Sequence, residues 1–175
     1  MKISLDKIIR RETDNLHLNF CEKIDSINYC DNTYKLTSPV ILNGKISKTN
    51  KGLFLDCNVE FTLIDNCARC LNEVEVKLSY PIQGFLIKEE VDENEVEEFD
   101  VYTYINDEVD FIDLIEQTLD FNLPQRVLCS EDCKGLCSTC GTNLNNEVCS
   151  CDEVANDEDV IDPRFAKLKE MFKND

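Results

Sequence analysis

Eight of the eleven cysteines in this 175-residue chain fall into four close pairs, and those pairs are where its side chains could do chemistry. They are Cys67 and Cys70 in DNCARCL, Cys129 and Cys133 in LCSEDC, Cys137 and Cys140 in LCSTCG, and Cys149 and Cys151 in VCSC. Five cysteines lie in the nineteen residues from Cys133 to Cys151, a stretch too polar to bury thiols as core. Four pairs suit two tetrahedral sites. Zinc takes four soft ligands near 2.3 Å, and a CxxC turn can set two sulfurs on one ion while neighbouring N–H groups spread the thiolate charge. Gly141, after the second cysteine of CSTCG, allows the left-handed backbone that finishes such a turn.

The spacing favours one zinc on Cys137, Cys140, Cys149 and Cys151, with eight residues between the two pairs. Cys67, Cys70, Cys129 and Cys133 would then form a second site, pinning the cysteine-dense segment to the body of the chain. Other pairings, or one ion held by part of the set, satisfy the same count. An iron–sulfur cluster also uses four thiolates. A redox CxxC at Cys67 and Cys70 would need an exposed thiolate at a helix N-terminus, whereas the LNEVEVKLSY that follows reads as strand. Cys21, Cys30 and Cys57 read as buried thiols.

No catalytic constellation accompanies these cysteines. A catalytic zinc commonly includes histidine and keeps an open position, and the single histidine, His17, falls on the polar side of its strand. Nucleophile-elbow, phosphate-loop and dinucleotide motifs are absent. The expected zinc is structural and the protein is not expected to be an enzyme.

The elements that must position the cysteines follow from periodicity. Leu55, Cys57, Val59, Phe61 and Leu63 alternate with polar residues, as do Val74, Val76, Leu78, Tyr80 and Ile82. These read as antiparallel strands, with earlier ones at Leu16–Phe20 and Val40–Ile46 and a turn at Asn50-Lys51-Gly52. The expected fold is α+β: an antiparallel β-rich body, an open sheet or partly closed barrel of five to seven strands. A short strand at Val101–Ile105 precedes one packed helix near residues 110–123, capped by Asp110 and ended by Pro124. The segment from Lys88 to Asp100, with eight acids in thirteen residues, reads as a mobile loop. A short C-terminal helix is expected from Asp162-Pro163. The expected division is residues 1–128 as β-rich body and 129–175 as zinc-binding segment with the C-terminal helix.

Thirty-six acids against eighteen bases give a net charge of −18. That deficit excludes DNA as an expected partner, since phosphate binding needs concentrated Lys and Arg. It suits a basic protein instead. Basic spots exist at Lys7, Arg10 and Arg11, at Arg126 and Lys134, and at Lys167, Lys169 and Lys173. No run approaches a membrane span, and the N-terminal MKISLDKIIRRET has no secretory apolar core, so a cytoplasmic address is expected.

Three pieces in order, CARCL, then DFIDLIEQTLDFNLPQRVLCSEDCKGLCSTCGTNLNNEVCSC, then IDPRFAKLKEMF, resemble the bacterial YceD-like proteins, named for large-subunit ribosomal RNA accumulation. The resemblance covers roughly Cys67 to Phe172. It implies a non-enzymatic cytoplasmic factor connected with 23S ribosomal RNA accumulation and large-subunit assembly. Its implied partners are the large-subunit precursor, ribosomal RNA or a basic ribosomal protein, and its cysteine positions coincide with the eight paired above. The alternative reading is a thiol redox or zinc-responsive regulator.

Overall fold

The computed structural model describes residues 1–88 and 100–151. The expected acidic loop, apart from its ends Lys88 and Asp100, and the expected C-terminal helix lie outside the described residues. The chain divides into two compact units, Met1–Cys129 and Ser130–Asp175.

In the first unit, the long alternating runs become strands. β1 (Lys2–Ser4) and α1 (Asp6–Ile9) precede β2 (Asn15–Glu22), β3 (Ser26–Tyr29), β4 (Asn32–Lys35), β5 (Val40–Thr49), β6 (Gly52–Asn66) and β7 (Glu73–Lys88). β8 (Asp100–Tyr104), β9 (Glu108–Asp110) and α2 (Phe111–Asn122) complete it. The main sheet is open, with order β2-β5-β6-β7-β8, while β1 pairs with β9 and β3 with β4. The β5–β6 turn falls at the expected Asn50-Lys51, since Thr49 pairs with Gly52.

β8 departs from the antiparallel expectation by running parallel to β7, from Gly84↔Asp100 to Lys88↔Tyr104. Residues 89–99 separate the two strands in sequence, about the dozen or so residues a parallel return requires. β1, α1, β3, β4 and β9 are too short to show periodicity. They are nevertheless anchored: Ile3 of β1, Ile8 of α1, Ile27 of β3 and Val109 of β9 are buried, as is Leu5 between β1 and α1, while β4 packs the half-buried Tyr34 against the core.

The alternation read from sequence is the burial pattern of the sheet. Leu55, Cys57, Val59, Phe61 and Leu63 of β6 and Leu78, Tyr80 and Ile82 of β7 are buried, with polar neighbours on the other face. α2 buries Phe111, Leu114, Ile115 and Leu119, one helical stripe. Thr118 of α2 lies 3.5 Å from the Tyr80 hydroxyl of β7. Asp110 caps the helix, its carboxylate accepting from the Ile112 N–H at 3.0 Å. The opposite side of α2 holds the β3–β4 hairpin: Glu116 accepts from the Asn28 N–H at 2.9 Å, and the Tyr29 hydroxyl donates to Asp120.

Two glycines are needed for close approach, Gly44 of β5 and Gly84 of β7. An ideal Cβ on Gly44 of β5 would lie 2.3 Å from the Asp56 carbonyl oxygen and 2.4 Å from Cys57. Only hydrogen fits there. No helix among the described residues is long and apolar enough to cross a membrane.

Candidate metal centres

CARCL lies in the connection between β6 and β7. Its backbone closes on itself: the Cys67 N–H donates to the Asn72 carbonyl at 2.8 Å and the Leu71 N–H to the Cys67 carbonyl at 2.9 Å. CSTCG of the second unit repeats this, residue for residue. The Cys137 N–H donates to Thr142 O at 2.8 Å, and the Gly141 N–H to Cys137 O at 2.9 Å. The residue after the second cysteine is left-handed in both turns, Leu71 at φ 61° and Gly141 at φ 76°. The two CxxC segments are thus the same backbone turn, although only one has the glycine that made it legible. Leu71 is 64% exposed, so its side chain escapes a clash while its backbone bears the strain.

The turns bring their sulfurs to other thiols. Cys67, Cys70, Cys129 and Cys133 form one group and Cys137, Cys140, Cys149 and Cys151 another, with the sulfurs of each group within 4.8 Å of one another. These are the two groupings favoured by the spacing. Four sulfurs bound tetrahedrally to zinc at 2.3 Å would be separated by about 3.8 Å, so the donor sets fit that ion in size. They also fit in softness, with sulfur donors rather than the oxygens a hard cation prefers. Cys70 and Cys129 sulfurs are 3.5 Å apart, far beyond disulfide length.

Backbone and hydroxyl groups prepare some of the thiols to ionise. Burial would raise the Cys67 thiol, but the N–H groups of Arg69, Cys70 and Cys129 bring it down to about 6. Cys140 is lowered to about 6, first by the Thr142 hydroxyl, whose oxygen is 3.2 Å from the sulfur, and then by the Thr142 N–H. Cys151 is pushed up to about 12 by its hydrogen bond with Cys140, by burial and by the neighbouring sulfurs. Cys149 is also raised: the Cys151 N–H opposes the rise, which hydrogen bonding with Cys137 and burial impose. Four thiolates this close repel one another, and a cation is what would allow all of them to ionise together.

The groups differ in shelter. Cys67, Cys70 and Cys133 are buried and Cys129 exposed, whereas in the second group only Cys137 is buried, Cys140 is exposed, and Cys149 and Cys151 are half-buried. In the second unit the Leu136↔Asn143 bridge carries the CSTCG turn at its tip. The loop that follows is tied by Asn145, which the sequence reading passed over. Its side-chain amide donates to the Cys133 sulfur at 3.3 Å, and its side-chain oxygen accepts from the Lys134 N–H at 2.8 Å. The polar run TNLNN between the cysteine pairs was the available signal, since amides next to thiolates can act as donors.

Of the remaining cysteines, Cys57 is buried as expected, but Cys21 and Cys30 are exposed. Leu18 points inward on β2, so alternation turns Cys21 outward; Cys30 sits in the β3–β4 turn at φ 46°. His17 is exposed on β2. Arg10, Arg11, Arg126 and Lys134 are exposed, Arg10 pairing with Asp6 at 3.5 Å. Lys167, Lys169 and Lys173 lie outside the described residues.

The family model described as Large ribosomal RNA subunit accumulation protein YceD matches residues 55–172. The chain belongs to the YceD family. Its family segment begins in β6 and takes in both cysteine groups; β1 to β5 precede it. An uncharacterized protein of Mycobacterium tuberculosis is 28% identical over 132 residues, 75% of this chain and 61% of that relative. One of Mycobacterium leprae is 27% identical over 139 residues, covering 79% and 61%. The YceD-family chain therefore spans under two thirds of the length of these relatives. No solved structure matches it.

Proposed function

We propose that this chain is a non-enzymatic, cytoplasmic zinc-binding factor that supports 23S ribosomal RNA accumulation and assembly of the large ribosomal subunit. The observation that carries the metal part is the gathering of eight cysteines into two all-sulfur groups, each of a size and softness that suits zinc. The ribosomal part is supported by family membership. Zinc on these groups acts structurally, with four protein ligands and no open position. The net charge of −18 suits a basic ribosomal protein as the direct partner, with exposed residues such as Arg126 and Lys134 available to ribosomal RNA.

Depletion followed by gradient profiling of ribosomal subunits tests the assembly role. The expected result is loss of 23S RNA with accumulation of large-subunit precursors; normal 23S levels and normal precursors refute it. Pull-down with RNase and high-salt controls then separates a protein contact from an RNA contact.

The exposed Cys140, whose thiol is lowered to about 6 by Thr142, favours the alternative of a thiol redox or zinc-responsive regulator. Iodoacetamide trapping combined with a metal assay discriminates. Thiols protected in the zinc-loaded protein support the structural role, and reactive CxxC thiols in the metal-loaded protein support the regulator.

A further inference from the structure

Asn145 occupies an unusual place between the two cysteine groups. It lies in the loop that joins Cys140 to Cys149, and so belongs by chain to the second group. Its side-chain amide, however, donates to the sulfur of Cys133, a member of the first group, at 3.3 Å. The residue is held by three further hydrogen bonds, two through its side chain and one through its backbone. Its side-chain oxygen accepts from the Lys134 N–H at 2.8 Å, its side-chain nitrogen also donates to Asn143 Oδ1 at 2.8 Å, and its backbone N–H donates to that Asn143 oxygen at 3.0 Å. The backbone around it is set by the Leu144 N–H donating to Gly135 O at 2.9 Å and by the Leu136↔Asn143 bridge that carries the CSTCG turn.

On the reading of both groups as metal sites, we infer that Asn145 is a positioning residue that couples them: an ion on Cys137, Cys140, Cys149 and Cys151 holds the loop that aims the Asn145 amide at Cys133. The physical basis is charge. A metal-bound thiolate keeps excess negative charge, and a donor that hydrogen-bonds to it stabilises the bound form. Ordering the donor requires closure of the loop between Cys140 and Cys149, and the second ion would close it. Filling one site therefore favours filling the other, and linkage makes the effect reciprocal. Asn145 touches no metal itself, so its substitution leaves all eight ligands in place.

The experiment uses the full chain titrated with zinc against a chromophoric chelator, and in parallel with cobalt, whose sulfur-to-metal charge-transfer band reports the electron density on the ligating thiolates. The wild-type chain is expected to take up two ions cooperatively. Asn145→Ala is expected to weaken binding at the group containing Cys133, on the order of 10-fold or more as is usual for partners of metal ligands, and to shift the cobalt band. Asn145→Gln, which retains the amide on a longer side chain, should recover part of both. Cys149→Ser disables the second group and is expected to weaken the first by a similar factor, with no further loss when combined with Asn145→Ala. Circular dichroism of the β-rich unit identifies variants that have misfolded, and the Gln variant then carries the comparison.

Two ions bound independently, or an Asn145→Ala chain with unchanged affinities and cobalt spectrum, overturn the coupling and leave the metal reading standing. A wild-type chain that binds neither zinc nor cobalt overturns both.

Discussion

Leu71 and Gly141 occupy the same position in two copies of one turn, yet only glycine is at ease there. A left-handed conformation costs a residue with a Cβ about 1–2 kcal/mol, while glycine pays mainly in unfolded-state entropy. Gly141→Ala is therefore expected to lower the stability of its turn by about 1 kcal/mol, whereas Leu71→Gly should be close to neutral, the strain it relieves offset by added chain entropy. Thermal unfolding of the zinc-loaded variants measures both. Cys57 offers a pH test. Burial, aided by the Asp56 charge, raises its thiol from 9.0 to about 12, so the folded chain retains a proton that the unfolded chain loses. The resulting stabilisation is complete below about pH 9 and is lost as pH rises towards 12. Denaturant titrations across that window should show a shallower decline for Cys57→Ala than for the parent chain.

At the scale of elements, the long strands and α2 were legible because each repeats a pattern over many residues. β6 alternates through its whole length, and α2 places Phe111, Leu114, Ile115 and Leu119 on one stripe below an aspartate cap. α1 and the strands β1, β3, β4 and β9 were missed for the converse reason: three or four residues cannot establish a period. The close approach at Gly44 was equally invisible, since nothing local says that β6 backbone lies 2.3 Å from its missing Cβ. Gly44→Ala is expected to cost about 3 kcal/mol, at the upper end for overpacking, because the obstructing atoms are backbone and cannot rotate away. Ile115→Ala, which opens a cavity between α2 and the sheet, is expected to cost about 2–5 kcal/mol. Urea unfolding reads both, with an unchanged slope showing that the fold is retained.

At the scale of the whole molecule, the two units should answer differently to metal loss. The first has a continuous apolar core from β1 to α2, whereas the described part of the second buries few apolar groups besides its cysteines. Where a core is that small, metal binding supplies the folding energy. Strong chelation is expected to abolish hydrogen-exchange protection across residues 130–151 while β5, β6 and β7 stay protected. Cys137→Ser should reproduce that pattern without chelator. Native mass spectrometry should find two zinc ions on the parent chain and one fewer on Cys67→Ser, which separates the two-site arrangement from a single site in the second unit. Association with the proposed basic partner is expected to weaken steeply with salt, given the net charge of −18.

The amino-acid order by itself determined what depends on neighbours along the chain: strand and helix periodicity, the Asp110 cap, the four cysteine pairs and the glycine-closed turn at CSTCG. Only tertiary structure decided what depends on distant residues meeting. It gathered Cys67 and Cys70 with Cys129 and Cys133, laid β8 parallel to β7, turned Cys21 and Cys30 to solvent, and set Asn145 against the Cys133 sulfur. The division has one physical cause. Periodicity and turn chemistry act over a few bonds and are written locally, whereas a meeting of side chains is settled by the packing of the whole chain, which no local window contains.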